Sequence, residues 1–233
     1  MAGPGQTDHT PPPEQPDANP RWQRRPQARP EEILRAAMQT FVERGFAATR
    51  LEDIARRAGI SKGTLYLYYS NKEALFQAAV RENITPVIDA AEQRVAGHDG
   101  TALELLEQLY RRWAAALADP VLGGLCKLVI SEAGNFPDTA RLYVEEVVLR
   151  IRGIFRGVVE RATASGELRA LPAEHVVREL MTPILFLSIW RHSLASYEPR
   201  PLNVEQFLDN HWDMVLHGIL PSGHGARPRQ GDH

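Results

Sequence analysis

FAATRLEDIARRAGISKGTLYLYYSNKEALF, residues 46–76, decides how the rest of this chain is read. Thr49, with Glu52 three residues on, has the form of a capping box that opens a helix. Leu51, Ile54, Ala55 and Ala58 recur at helical spacing and predict a buried stripe. Gly59 follows where a helix end favours a left-handed residue. Ile60 offers an apolar anchor, and Ser61 is placed to cap the next helix. That helix spans residues 62–69, with Leu65 and Tyr69 facing inward. Lys62, Gly63, Thr64, Tyr66, Leu67 and Tyr68 lie wholly or partly on the other side. Ser70 with Glu73 forms a second capping box that starts a longer helix.

Two helices joined by a tight glycine turn, the second carrying hydroxyls and a lysine on a face the core does not need, match the layout of a helix-turn-helix reader of DNA. Gly63 is the odd choice, because glycine inside a helix costs about 1 kcal/mol against alanine. The cost is tolerable where the backbone must approach a base edge or a phosphate. Thr64 and Tyr66 offer hydroxyls to phosphate oxygens and apolar atoms to a thymine methyl. Lys62 reaches either guanine acceptors or a phosphate, and the sequence leaves both open. The plainer alternative is a helical hairpin whose polar face is simply solvated.

Outward from this segment, Pro30 opens a first helix that ends at Gly45, with Ile33, Leu34, Ala37, Met38, Phe41 and Val42 as its buried stripe. Residues 1–28 are rich in Pro, Gly, Gln and Asp without apolar periodicity, and are expected to be a disordered arm. They contain no apolar stretch of the kind a signal peptide needs. Arg21, Arg24, Arg25 and Arg29 close the arm; they suit either a minor groove and its phosphates or a solubilising tail. From residue 21 to 80 there are eleven Lys and Arg against six Asp and Glu, whereas residues 81–233 hold sixteen bases and twenty acids. A basic end on a chain of net charge −2 suits phosphate contact by that end alone.

The segment resembles the DNA-binding domain of TetR-family transcription regulators. The residues that carry the likeness are Gly45-Phe46, Thr49, Ile54-Ala55, Ala58-Gly59, the run from Ser61 to Tyr69, and Asn71-Lys72-Glu73-Ala74-Leu75. It covers about residues 30–76. Leu67 and Tyr69 depart from the family pattern: Leu67 stands where a polar or aromatic residue is usual, and Tyr69 replaces a phenylalanine. The resemblance implies an all-α protein with a three-helix DNA-binding domain at 29–76, a larger helical effector-binding and dimerisation domain at 77–220, and a flexible tail at 221–233. Its DNA contacts are then expected from Thr49, Arg50, Lys62, Gly63, Thr64, Tyr66, Leu67, Tyr68 and Lys72. The stretch 128–137 also resembles the C-terminal domain of a TetR subgroup associated with efflux regulators, which implies a ligand-responsive dimerisation domain.

Beyond the head, only helical patterns occur: 72–96 with Pro86 expected to kink it, 101–117, 120–131, a long helix from Pro137 to 165, 173–192 and 202–220. No apolar run reaches membrane-spanning length. The last two helices carry more apolar surface than terminal helices leave wet. Val176, Leu180, Ile184, Leu187 and Trp190, with Phe207, Trp212, Val215, Leu216 and Ile219, are therefore the expected homodimer interface, unless they complete the monomer core. A twofold pair would set two reading helices one DNA turn apart, about 34 Å, to match a palindromic operator. Trp113, Leu117, Leu125, Cys126, Val129, Phe155, Phe186 and Trp190 are the candidate lining for a small hydrophobic or aromatic effector, each with ordinary core as its alternative.

An enzyme or metal-binding sensor is the competing class. His175 with Glu179, and Asp213 with His217, sit at i, i+4 and could clip a metal, but no third ligand has a telling spacing. No phosphate-binding glycine loop or serine elbow is present, so no cofactor is expected. Cys126, the sole cysteine, excludes an internal disulfide and suits a reducing cytoplasm. Its apolar helix predicts a buried structural thiol. The expectation is thus a cytoplasmic, homodimeric DNA-binding regulator, a repressor released by its effector.

Overall fold

The computed structural model describes residues 30–221, and every regular element among them is helical. The arm at 1–28 and Arg29 lie outside the described residues, as does the tail beyond Pro221. The head comprises α1 (Pro30–Arg44), α2 (Leu51–Arg57), α3 (Lys62–Tyr68) and the start of α4 (Lys72–Ala96). Ile33, Phe41, Ile54, Leu65 and Leu75 meet in its core, each fully buried. Phe41, Phe46 and Phe76 form a ring trio with centroids 5.1–5.4 Å apart, Phe76 edge-on to the other two and Phe41 stacked on Phe46, geometry that adds to burial.

Two caps differ from the sequence expectation. Thr49 is 2 % exposed and its hydroxyl donates to the Gly45 carbonyl at 2.6 Å, so it closes the α1–α2 turn from inside. Arg50 occupies the cap position of α2 without a side-chain bond, and Glu52 turns to Lys62 instead of completing a capping box. Before α4 the cap is Asn71, whose Oδ1 accepts from the Ala74 N–H at 2.7 Å, and not Ser70. The caps foreseen at Gly59 and Ser61 are present: Gly59 has φ +69°, and Ser61 Oγ accepts from the Thr64 N–H at 3.0 Å.

The body holds α5 (Ala102–Ala118), α6 (Pro120–Glu132), α7 (Pro137–Tyr143), α8 (Leu149–Ala164), α9 (Ala173–Arg191) and α10 (Val204–Ile219). The long helix expected after Pro137 is instead interrupted: a π-helical turn at Val144–Val148 joins α7 to α8. Such a turn places one extra residue in the coil, and no sequence pattern announced it. Pro183 lies inside α9, and Pro86 inside α4. The N-terminus of α5 has a full Thr101–Glu104 capping box, and Glu167 accepts the Ala102 and Leu103 N–H groups at 3.2 and 2.8 Å. Thus the α8–α9 loop is tied to the far end of α5.

Head and body join closely. α1 packs on both α4 and α6, and Gly124 of α6 allows the approach: a Cβ there would stand 2.5 Å from Val42 of α1. Phe136, in the α6–α7 corner, meets Phe46 of the head edge-on with centroids 4.4 Å apart.

Candidate nucleic-acid interface and body cavities

Because Ser61 caps α3 and Leu65 anchors it at zero exposure, the opposite side of this seven-residue helix is fixed toward water. Tyr66 and Tyr68 are 46 % and 47 % exposed, and Leu67 is 85 % exposed. An almost naked leucine between two tyrosines loses apolar burial that a partner would restore. A Cβ on Gly63 would meet only Ser61 Oγ, at an ordinary 3.7 Å. The fold itself therefore gives no reason for glycine, which leaves the outer surface as the place where the missing side chain matters. Thr64 Oγ1 lies 2.8 Å from Ser61 Oγ.

Charge on this surface is partly held in reserve. Lys62 pairs with Glu52 and its Nζ stands 5.7 Å from the Tyr66 ring centre. The Lys62 hydrogen bond holds the Glu52 carboxyl below its ordinary pKa, and Glu52 raises Lys62 in turn. Arg44 and Arg56 both reach Asp53, and Arg57 makes a two-pronged pair with Glu43. Arg50, exposed at the start of α2, makes no ion pair among the described residues.

Two of the nine expected contacts are corrected. Thr49 is buried, as described above, and its hydroxyl is used within the turn. Lys72 is also internal in role: its ammonium donates to the carbonyls of Phe46, Ala47 and Thr49 at 2.8, 3.3 and 3.2 Å and lies 4.6 Å from the Phe46 ring centre. An ammonium has three donors, so all are committed to the α1–α2 turn. Of the other seven, Thr64 is half-buried and Arg50, Lys62, Gly63, Tyr66, Leu67 and Tyr68 are exposed. Glu52 is the residue the sequence reading missed; its opposite charge to Lys62 was the available signal.

Besides an open, charged depression of about 510 Å³ on α5, lined by Glu104, Glu107, Arg111 and Arg112, the body contains two largely apolar cavities. One, about 410 Å³, lies between α4, α5 and α8 and is lined among others by Pro86, Val87, Arg94, Arg112, Trp113 and Phe155. The second, about 280 Å³, lies between α6, the π-helical turn, α8 and α9, and is lined among others by Trp113, Cys126, Val129, Tyr143, Arg152 and Arg178. Trp113 stands against both, and its indole N–H is buried without a hydrogen-bond partner. Burial pushes the Cys126 thiol pKa up, with a Tyr143 hydrogen bond drawing it back, which disfavours a reactive thiolate.

Of the eight expected lining residues, Trp113, Cys126, Val129 and Phe155 face these spaces. Leu125 is fully buried core, and Leu117 touches only a crevice of about 20 Å³. Phe186 is 59 % exposed and stacks near Trp190, ring centres 5.9 Å apart, on the outside of α9. The sequence reading missed Val87, Ala91 and Arg94, which recur on one side of α4 at helical spacing.

The expected dimer residues divide likewise. Val176, Leu180, Ile184, Trp212 and Ile219 are buried within their own chain, so they are corrected to monomer core. Trp212 packs 5.2 Å from the Tyr110 ring, beside a buried Tyr110–His211 hydrogen bond of 2.8 Å. Leu187, Trp190, Phe207, Val215 and Leu216 are half-buried, and the outer faces of α9 and α10 instead expose Phe186 and Met214, the latter at 66 %. The i, i+4 pairs His175–Glu179 and Asp213–His217 gather no third metal-ligating group among the described residues. Among those residues no single helix is long and apolar enough to cross a membrane.

Comparison with known proteins fits this geometry. Residues 33–79 match the model of bacterial regulatory proteins, tetR family, and residues 97–198 match the tetracyclin repressor-like C-terminal domain. The HTH-type transcriptional regulator RutR of Escherichia coli (strain K12) is 27 % identical over 212 residues, which cover 83 % of this chain and 92 % of RutR. The HTH-type transcriptional repressor KstR2 of Mycolicibacterium smegmatis is 27 % identical over 202 residues, 84 % of this chain and 93 % of KstR2. The crystal structure of FadR from Bacillus subtilis in complex with stearoyl-CoA shares the fold, with a TM-score of 0.68 at 19 % identity, covering 82 % of this chain and 100 % of FadR. The two family matches fall on the head and the body separately and together span more than half of the sequence, and the chain belongs to the TetR family of DNA-binding transcriptional regulators.

Proposed function

We propose that this regulator is a cytoplasmic repressor that binds a palindromic operator as a homodimer and releases it when a small, largely apolar effector enters the body. The observation that carries the reading is the outward face of α3, where Tyr66, Leu67 and Tyr68 stand exposed beside Lys62 and a glycine the fold does not need. Arg50, Lys62, Thr64, Tyr66 and Tyr68 are assigned to phosphates and base edges, Leu67 to a thymine methyl, and Gly63 to close backbone approach. Phe186, Trp190 and Met214 are assigned to the subunit interface, with Leu187, Phe207, Val215 and Leu216 at its margin. A second copy would cover these side chains and set the two α3 helices one turn apart.

Effector binding acts by population shift: a ligand that favours one spacing of the heads lowers operator affinity by its difference in affinity for the two states. The Phe46–Phe136 contact, the α1–α6 approach and α4, which runs from the head to the cavity wall, are physical connections between body and head. Titration of the full chain against the duplex upstream of its own gene, by fluorescence anisotropy over a salt series, tests the reading. Affinity should fall steeply with salt, and scrambled duplex should bind much more weakly. Equal affinity for both duplexes, or no binding at low salt, overturns it.

A further inference from the structure

The apolar cavity between α4, α5 and α8 has an unusual balance of charge. Its walls are apolar except for Arg94 of α4 and Arg112 of α5, and no carboxylate lines it. Neighbouring cations are neutralised: Arg150 is held by Asp89 and Glu92 at 3.0 and 2.9 Å, and Arg111 pairs with Glu107 and Asp209. Asp89, Glu92, Glu107 and Asp209 are thus engaged by other arginines, while Arg112 also borders an outer depression on α5 that holds Glu104 and Glu107. Arg94 and Arg112 make no ion pair among the described residues. Arg94 is half-buried and Arg112 exposed, so the charged end of the cavity is the end that meets water. Trp113, which lines this cavity and the neighbouring one, has a buried N–H without an acceptor, and a buried donor left unmade is costly.

We propose that this cavity takes an amphiphilic anion, with an apolar chain lying along Val87, Ala91, Leu109 and Phe155 and an oxyanion headgroup, carboxylate or phosphate, held by Arg94 and Arg112. The inference rests on the reading of the body as an effector domain and narrows the effector's class. In a pocket of this kind apolar walls supply affinity and the few polar groups fix orientation. Two guanidiniums from different helices suit a bidentate oxyanion and no cation. An oxygen one step along the chain, such as the carbonyl of an acyl thioester, would accept from Trp113 Nε1.

The test is direct binding to the full chain without DNA, by calorimetry at concentrations below micelle formation. The probes are dodecanoate, dodecyl phosphate, the dodecanoyl thioester of coenzyme A, dodecanol and dodecylamine. The anions should bind, the alcohol about tenfold more weakly and the amine more weakly still. The ranking of free carboxylate, phosphate and thioester identifies the source of the headgroup. Arg94→Gln with Arg112→Gln should bring the anions down to the alcohol's affinity, leaving that affinity, the helix content and the oligomeric state unchanged. Ala91→Trp should fill the space and abolish binding of every probe, with the melting temperature reporting that the fold persists. Alcohol or amine binding as tightly as dodecanoate, a double variant that still prefers anions, or undiminished binding to a folded Ala91→Trp chain overturns the proposal. Anions that bind as described and leave operator affinity unchanged would sink the effector reading above and not this one.

Discussion

Two surfaces of this protein expose large apolar side chains to a similar degree, and their surroundings set them apart. On α3 the exposed Tyr66, Leu67 and Tyr68 sit with Lys62 and Arg50, hydroxyls and cations around a bare leucine. On α9 and α10 the exposed residues are Phe186 and Met214, with Glu174 paired to Arg178 at 3.0 Å further back on α9 and Asp213 3.4 Å from His217 beside Met214. Exposure alone marks a surface as unfinished. The company it keeps is the ground for proposing a polyanion in the first case and a surface of like composition in the second.

The largest effect that separates these surfaces from the interior is expected at α10. Trp212→Asp removes a buried ring and leaves a charge beside Tyr110 and His211, which should cost about 3–5 kcal/mol in packing alone and unfold the body. Met214→Asp, two residues along and exposed, should leave the melting curve of the subunit nearly unchanged while shifting sedimentation toward monomer. A dimer that survives Met214→Asp and Phe186→Asp together would move the interface elsewhere.

On α3 the expected loss is smaller and confined to DNA. Tyr66→Ala or Lys62→Ala should weaken operator binding by about 1–2 kcal/mol, with Lys62→Ala also lowering the salt slope by about one. Helix content and dimerisation should not change. Glu52→Gln sharpens the contrast, because it frees Lys62 from its pair and should raise affinity for operator and random duplex alike. No change in either would mean that the Lys62–Glu52 pair does not hold the cation back.

Gly63→Ala is the finest discriminator between a helix built for stability and one built for a partner. It should stabilise α3 by about 0.5–1 kcal/mol and still weaken operator binding, since nothing in the protein opposes the methyl group. Stability should also report pH through the body. Burial lowers the pKa of His211, against a weaker opposing pull from Glu179, and lowers His192 in the same way, with Arg191 and Lys127 adding to it. For each group the stabilising contribution is full above its ordinary value of 6.5 and is lost as pH falls through the depressed folded value. Thermal melts should therefore drop as pH falls from 6.5 toward the depressed value and level off below it, and His211→Gln should reduce the drop.

Much of the head was legible because its signals are local. Gly59, Ser61 and Leu65 act through the backbone and side chains within a turn or two, and their spacing reports their roles. Thr49 and Lys72 were misread because each could serve two partners: a threonine before a helix can cap it or bond backward, and a lysine can meet a phosphate or three carbonyls. Only the position of α1's end chose between them. In the body the apolar periodicity of α9 and α10 was plain, yet periodicity marks a face for burial without saying what buries it. Val176, Leu180 and Trp212 found their cover within the chain, and Phe186 and Met214 did not.

The sequence by itself determined most of the helices, their glycine and proline boundaries, and the outward face of α3, since these depend on contacts a few residues apart, while the π-helical break between α7 and α8 lay beyond it. Tertiary structure alone decided which apolar stripes close on one another, which arginines keep an acid and which face an apolar cavity, and that Trp113 stands between two spaces with an idle N–H. Those outcomes depend on distances between residues far apart in the chain, which spacing along one helix does not encode.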